Sequence, residues 1–356
     1  PFYLWEGLPA PELSRCLISP GEGITGGSKL IRCLMAALEK KGVAIHYNTK
    51  AVSLVKDECF NVEGVSCITP DGRKDYLARG GVILTTGGYG ANEAMVDKYI
   101  GPWASRLIVR GSPWITGENI LMAEEVQALL VNMDQFYAGP ITPTGHCNPS
   151  PLMHAGYGIQ VNTKGKRFVP ETWLQVPKAK AIAERTEDNR SFMLIGADAD
   201  KNAQILTNTI KRFARLGFEV IKADTIEEAA KKAGVPEKNL VETVREFNAA
   251  VKAGKAKELD PPYDYDEPHA LETGPFYMIP AAGGMASTFG GPKINKDAQV
   301  VNFERRPIPG LYAAGAAAGG VWVYDDIGGN QLGGGMVFGR VAARHAAGRA
   351  ASRKNA

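Results

Sequence analysis

What this 356-residue chain lacks narrows its possible roles first. No apolar run approaches the about 20 residues that cross a bilayer, so no membrane span is expected. The net charge is +3, which does not call for nucleic acid or an anionic surface as a partner. The five cysteines, at 16, 33, 59, 67 and 147, form no CxxC and no CxxCH. Neither a c-type haem attachment nor a zinc site is therefore encoded. An odd number of scattered thiols suits a reducing compartment, so a cytoplasmic location is the expectation. A GxGxxG following an N-terminal strand is also missing.

Glycine is abundant, and it crowds one stretch near the end, Pro307 to Arg340: PIPGLYAAGAAAGGVWVYDDIGGNQLGGGMVFGR. The spacing predicts a buried strand ending at Gly315, a glycine-rich bend, a polar loop, and a helix over roughly 332–349. Glycine at this density lets backbone approach a ligand closely. The free N–H groups at the start of such a helix suit phosphate or an electron-rich heterocycle. Tight helix–strand packing without a ligand accounts for the spacing equally well.

The stretch resembles the C-terminal signature of the flavoprotein family that holds fumarate reductases, succinate dehydrogenase flavoprotein subunits, urocanate reductase and 3-ketosteroid dehydrogenases. The matching residues are Ile308 to Gly315, Gly319-Gly320, the run 329–333 (Gly-Asn-Gln-Leu-Gly) and Phe338 to Arg340. A second block matches in order: GGSKLIRCLMAALEKKGVAIHYNTKAVSLV, then GVILTTGGYGAN. So does GIQVNTKGKRF, while TGENILMAEEVQALL departs by Glu118-Asn119 for Asp-Gly and by Gln127 for Gly.

The resemblance implies an α/β fold: a Rossmann-like FAD-binding domain, incomplete at its N-terminus, with an inserted α+β capping domain. The implied division is 1–102 and 271–356 for the FAD domain and 103–270 for the cap. The family opens on the GxGxxG unit, so the sequence reads as a C-terminal portion. The implied cofactor is FAD. Its contacts would come from Val52, Thr86, Gly87, Gly88, Gly315, Ala316, Asn330, Gln331 and Leu332. Ala316 stands where the family has a ribityl-binding glutamate.

Periodicity places a helix over 29–41 after Ser28, with strands at 43–47, 51–55, 62–68 and 81–86. A turn falls at Pro70-Asp71-Gly72-Arg73, and Asn92 caps the next helix. Further on, a hairpin is expected over 158–168, a strand at 191–197, and two helices over 225–253 around Gly234. A second hairpin follows over 294–301.

The family's dicarboxylate grip is absent from the sequence. Its arginine and histidine positions fall here on Gln175, Ser287, Gln331, Gly139-Pro140 and, near the hairpin, His154. Bidentate arginine is the natural partner of carboxylate. Its loss implies a small-molecule substrate that is not a dicarboxylate. Tyr324, in WVYDDIGGNQLGG, is similar to the tyrosine of 3-ketosteroid dehydrogenases that acts on the carbon acid beside a ketone. A phenol can serve there as the base. Tyr137, Tyr157, Ser287 and Gln175 are the candidate pocket walls. The expected activity is hydride transfer between flavin and a carbon adjacent to a carbonyl, with a cyclic or steroid-like substrate and an external electron acceptor or donor. Two alternatives stay open: a binding or assembly subunit without catalysis, and a dicarboxylate reductase with a rearranged site.

Overall fold

A computed structural model describes residues 26–143, 158–197, 210–211, 213, 217–218, 220–323 and 330–353. Helix α1 (Gly26–Lys40) is followed by a meander of β1 (Lys50–Lys56), β2 (Val62–Thr69) and β3 (Gly72–Leu77). The β2–β3 turn is held by Asp71, whose N–H donates to Thr69 Oγ1 at 3.2 Å. The strand expected at 43–47 does not form. Val43, Ile45 and Tyr47 are exposed, and among the described residues no sheet edge receives their backbone groups. A strand without a neighbour leaves its N–H and C=O groups to solvent.

The next strand, β4 (Val82–Leu84), pairs in parallel with β14 (Pro307–Ala313), matching Leu84 to Ala313. Strand β13 (Gln299–Val301) lies on the other side of β14. Leu54, Val62, Leu84, Leu311 and Ala313 make one buried core with Met122 and Val126. Each large side chain buried there contributes about 1.5–3 kcal/mol. The two buried strands therefore hold the rim beyond their C-terminal ends in place. Helix α2 (Glu93–Tyr99) starts as expected: Asn92 Oδ1 accepts the Met95 N–H at 3.2 Å.

Past β5 (Ile108–Val109) come α3 (Glu118–Glu124), β6 (Leu130–Val131) and β7 (Phe136–Ile141). The hairpin over 158–168 has one regular strand, β8 (Gly158–Asn162), and returns only through a Val161–Arg167 bridge. Arg167 leaves the strand because Glu171 draws it inward, with Nε and Nη2 donating to the carboxylate at 3.0 and 2.6 Å. Helix α4 (Gln175–Arg185), β9 (Ser191–Ile195) and β10 (Ile221–Ala223) follow. Helices α5 (Ile226–Ala233) and α6 (Glu237–Lys252) confirm the expected pair, joined through left-handed Gly234.

Strand β11 (Phe276–Thr288) then runs for 13 residues. Its first half pairs with β9 and β10, and its second half with β7 and β5. Where it changes partners, Asn189 clamps Gly283 by accepting its N–H and donating to its carbonyl, at 2.9 and 3.0 Å. Beyond β12 (Gly291–Pro292), the hairpin over 294–301 reduces to an Ile294–Val300 bridge and β13. The chain closes with α7 (Asn330–Ser352). Among the described residues no helix is long and apolar enough to cross a membrane.

Gln127, where the resemblance has glycine, adopts φ +56° and is exposed. A side chain there opposes the left-handed backbone. Gln127→Gly should stabilise the fold by about 1 kcal/mol, read as a Tm rise of roughly 2 °C by calorimetry.

Candidate active site

The site lies where two parallel strands end. The Ala314 N–H donates to the Leu84 carbonyl at 3.1 Å, the last rung between them. Immediately beyond come Thr85-Thr86 on one strand and Gly315-Ala316 on the other. Open α/β sheets bind ligands in this crevice, outside the carboxyl ends of their strands. Thr86 is exposed, while Gly87, Gly315 and Ala316 are half-buried. Gly87 and Gly315 have φ of +82° and +67°, so the chain turns sharply at both rims.

Helix α7 starts against this turn. A Cβ placed on Gly335 would lie 3.6 Å from Gly315 Cα, and one on Gly333 would meet nothing within 4 Å. Gln331 is half-buried and Leu332 exposed at the same end, one residue beyond Asn330, where the helix begins. Val52 lies at a register break in β1: Ala51 pairs with Cys67 and Ser53 with Ser66, which leaves Val52 as the extra residue of the bulge. Behind the Gly315 turn, fully buried Asn119 donates Nδ2 to the Ala317 carbonyl at 3.0 Å. Its Oδ1 has no partner, an unmet acceptor of the kind a bound group satisfies. A backbone-lined, side-chain-poor cradle at a helix N-terminus fits a flat heterocycle with acceptor atoms along one edge. The residues present thus fit the flavin that the sequence implies.

Gly88 is placed differently from Gly87. It is buried, and a Cβ on it would come within 2.1 Å of Thr288 Oγ1. The same hydroxyl accepts the Tyr89 N–H at 3.1 Å. Tyr89 OH in turn donates to the Met133 carbonyl, and burial raises its pKa, so it stays a phenol. Gly88 thereby locks the Thr85–Gly88 turn onto the end of β11.

On the far side of that lock, β11 and β7 bring the expected pocket residues together. Ser287 sits opposite Tyr137. Gln331 Nε2 donates to Ser287 Oγ at 3.0 Å, and Tyr137 OH donates to Gln175 Oε1 at 3.1 Å. Gln175 is the first residue of α4, a helix absent from the sequence reading. A Cβ on Gly139 would lie 2.7 Å from Gln175 Oε1 and 3.3 Å from Arg110 Nη1. Two polar groups therefore occupy the space where the resemblance places a histidine. Tyr324, Tyr157 and His154 lie outside the described residues.

Arg110 was not foreseen, nor was Lys178. Arg110 follows β5, its N–H donating to the Met285 carbonyl at 2.7 Å. Nothing in the sequence links it to Gln175; only β11 joins them. Lys178 is buried one turn along α4, donating Nζ to the Glu171 carbonyl at 2.7 Å. Burial lowers its pKa to about 8, against a smaller opposing pull from the Glu171 carboxylate. Among the described residues no His, Cys, Asp or Glu cluster could hold a metal ion.

A family described as an FAD binding domain matches residues 11–332. The chain belongs to this flavoprotein family, with the fumarate reductases and 3-ketosteroid dehydrogenases. It is similar to the fumarate reductase (cytochrome) of Shewanella frigidimarina, 30% identical over 92% of this chain and 56% of the relative. Among solved structures it resembles the open conformation of a flavocytochrome c3 fumarate reductase. That match has a TM-score of 0.78 at 29% identity, over 93% of this chain and 57% of that one. It also resembles 3-ketosteroid-delta4-(5alpha)-dehydrogenase from Rhodococcus jostii RHA1 in complex with 4-androstene-3,17-dione. There the TM-score is 0.65 at 27% identity, over 91% and 64% of the two chains. The chain spans about half the length of the fumarate reductase relatives it matches.

Two outcomes follow for the flavoprotein scaffold. Gly88→Ala should cost about 1–3 kcal/mol through the clash at Thr288, and flavin retention on a desalting column should fall with it. Lys178 binds a proton more weakly when folded than when unfolded, so between about pH 8 and the ordinary lysine range the unfolded chain holds more protons. Stability should therefore rise with pH in that window, by about 1.4 kcal/mol per unit relative to Lys178→Met, in denaturant titrations at pH 7.5 to 10.

Proposed function

We propose that the protein to which this chain belongs is an FAD-dependent oxidoreductase. It transfers a hydride between the flavin and a substrate carbon adjacent to a carbonyl. The substrate is a small molecule other than a dicarboxylate, with a cyclic or steroid-like frame, and an external electron acceptor or donor completes the cycle. The observation that carries this reading is the pairing of Ser287 with Gln331 and of Tyr137 with Gln175. Positions implied as cationic by the family's dicarboxylate members are here neutral and hydrogen-bonded to neighbours. They leave no two-armed guanidinium grip for a second carboxylate.

Bound FAD supplies hydride acceptance or donation. Gly315, Ala316, Thr86, Gly87 and the first turn of α7 would hold its ring, and the backbone at Val52 its adenine end. Tyr324 moves the proton at the carbon beside the substrate carbonyl, and backbone N–H groups of the adjoining loop polarise that carbonyl. The segments 1–102 and 271–356 would form the FAD domain and 103–270 the cap over the substrate. The two enzyme types among the similar structures, one of them holding a steroid dione, support a C–C bond as the reaction's target.

The test is an absorbance spectrum of the purified full-length protein, followed by anaerobic mixing with cyclic ketones, enones and fumarate. Flavin bands that bleach or recover with a cyclic substrate, and not with fumarate, are the expected result. A colourless protein that cannot be reconstituted defeats the reading. Tyr324→Phe should keep the flavin spectrum and lower kcat by about 100-fold or more.

A further inference from the structure

Among the described residues, Arg110 brings a positive charge beside the neutral side chains of Tyr137 and Gln175. The residue is half-buried, with Nη1 fully enclosed and without a hydrogen-bond partner. Among the described residues no carboxylate pairs with it: the neighbour that acts on its charge is the Tyr137 phenol, and the dominant influence is burial. A buried guanidinium nitrogen without a hydrogen-bond partner is costly to maintain, and an oxygen of a bound ligand would satisfy it.

Its position is built. The side chain lies across two glycines that face each other on β7 and β11, Gly139 and Gly284. A Cβ on Gly284 would come within 3.1 Å of Arg110 Cδ, and one on Gly139 within 3.3 Å of Nη1. A side chain at either place would crowd Arg110, besides clashing with Gln175 Oε1 at Gly139 or with Ile141 at Gly284. Gln175 Oε1 borders the same space, and Tyr137 and Ser287 continue the wall along β11 toward Gln331.

We propose that Arg110 is the anion-binding residue of this pocket and that the substrate carries a single carboxylate held by its guanidinium. The inference rests on reading this pocket as the substrate site, and it narrows the substrate to a monoacid. Arginine presents a planar fork to a carboxylate. One such fork, beside neutral Gln175, Ser287 and Gln331, accommodates one carboxylate and leaves the rest of the molecule to neutral contacts. An acid should therefore bind better than its methyl ester, and a dicarboxylate should gain nothing over a monoacid.

The experiment is isothermal titration of the full-length protein with crotonate, cinnamate and cyclohexene-1-carboxylate, each against its methyl ester. Arg110→Gln, Arg110→Lys and wild type are compared, with circular dichroism and flavin absorbance as controls. For at least one acid, wild type should bind about 10-fold or more tightly than the ester, a difference of about 1.4 kcal/mol. Arg110→Gln should erase that preference while keeping the fold, and Arg110→Lys should restore part of it. Equal binding of every acid and its ester by wild type overturns the proposal, as does an acid preference unchanged in Arg110→Gln. If Arg110→Gln does not fold, the Arg110→Lys titration decides: an undiminished preference overturns the proposal, because lysine lacks the fork. Calorimetry reads the carboxylate whether or not hydride transfer occurs. Arg110-dependent acid binding without flavin bleaching would defeat the oxidoreductase reading alone. Bleaching by enones without Arg110-dependent acid preference would defeat this inference alone.

Discussion

The pairing of β11 with β7 and β5 is the constraint on which the site depends. Along this ladder, which shifts register between Met285 and Ser287, Ser287 is set opposite Tyr137, Gly284 opposite Gly139, and Arg110 against Met285. At its end Thr288 accepts the Tyr89 N–H and ties the ladder to the turn after β4. Moving that register by one residue would turn Ser287 to the opposite face and part it from Gln331. The Asn189 clamp on Gly283, buried at the change of partner, resists such a slip.

Backbone shapes the rim beyond β4 and β14, and side chains shape the face across β11. The parallel pair of β4 and β14, buried in its own core, delivers Thr86 and Gly315 to adjacent rims. Glycines 315 and 335 let α7 approach without an intervening side chain. Across β11 the reverse holds: Tyr137, Gln175, Ser287 and Gln331 are joined by side-chain hydrogen bonds. Gly139 and Gly284 matter there because they leave room for Arg110. Fumarate-reductase-like architecture is thus retained, and in the proposal above a substrate carboxylate would be held from beside β5 rather than from the family's usual positions.

Local chemistry made much of the scaffold legible. The apolar run ending at Gly315, the Asn92 cap, the helix pair about Gly234 and the glycines of α7 each carry their own physical reason within a few residues. The strand expected at 43–47 has the right alternation yet no partner among the described residues, and alternation alone cannot supply one. Gln175 was singled out because it falls at a position of the family's dicarboxylate grip. The helix that it starts was not foreseen, because α4 packs its backbone directly on β11. A Cβ on Gly283 would come within 2.5 Å of the Ala179 carbonyl, a contact that small residues permit and periodicity does not announce.

The sequence by itself determined the family and the glycine-rich turn at the end of the parallel strands. These are properties of short contiguous motifs whose spacing survives in one dimension. Only the tertiary structure decided that Arg110 lies over Gly139 and Gly284 and that Gly88 serves packing rather than the open rim. Each depends on residues far apart in the chain, brought within a few ångströms by the ladder of β11. Strand register is set by burial and hydrogen bonding across the whole sheet, and no single segment carries it.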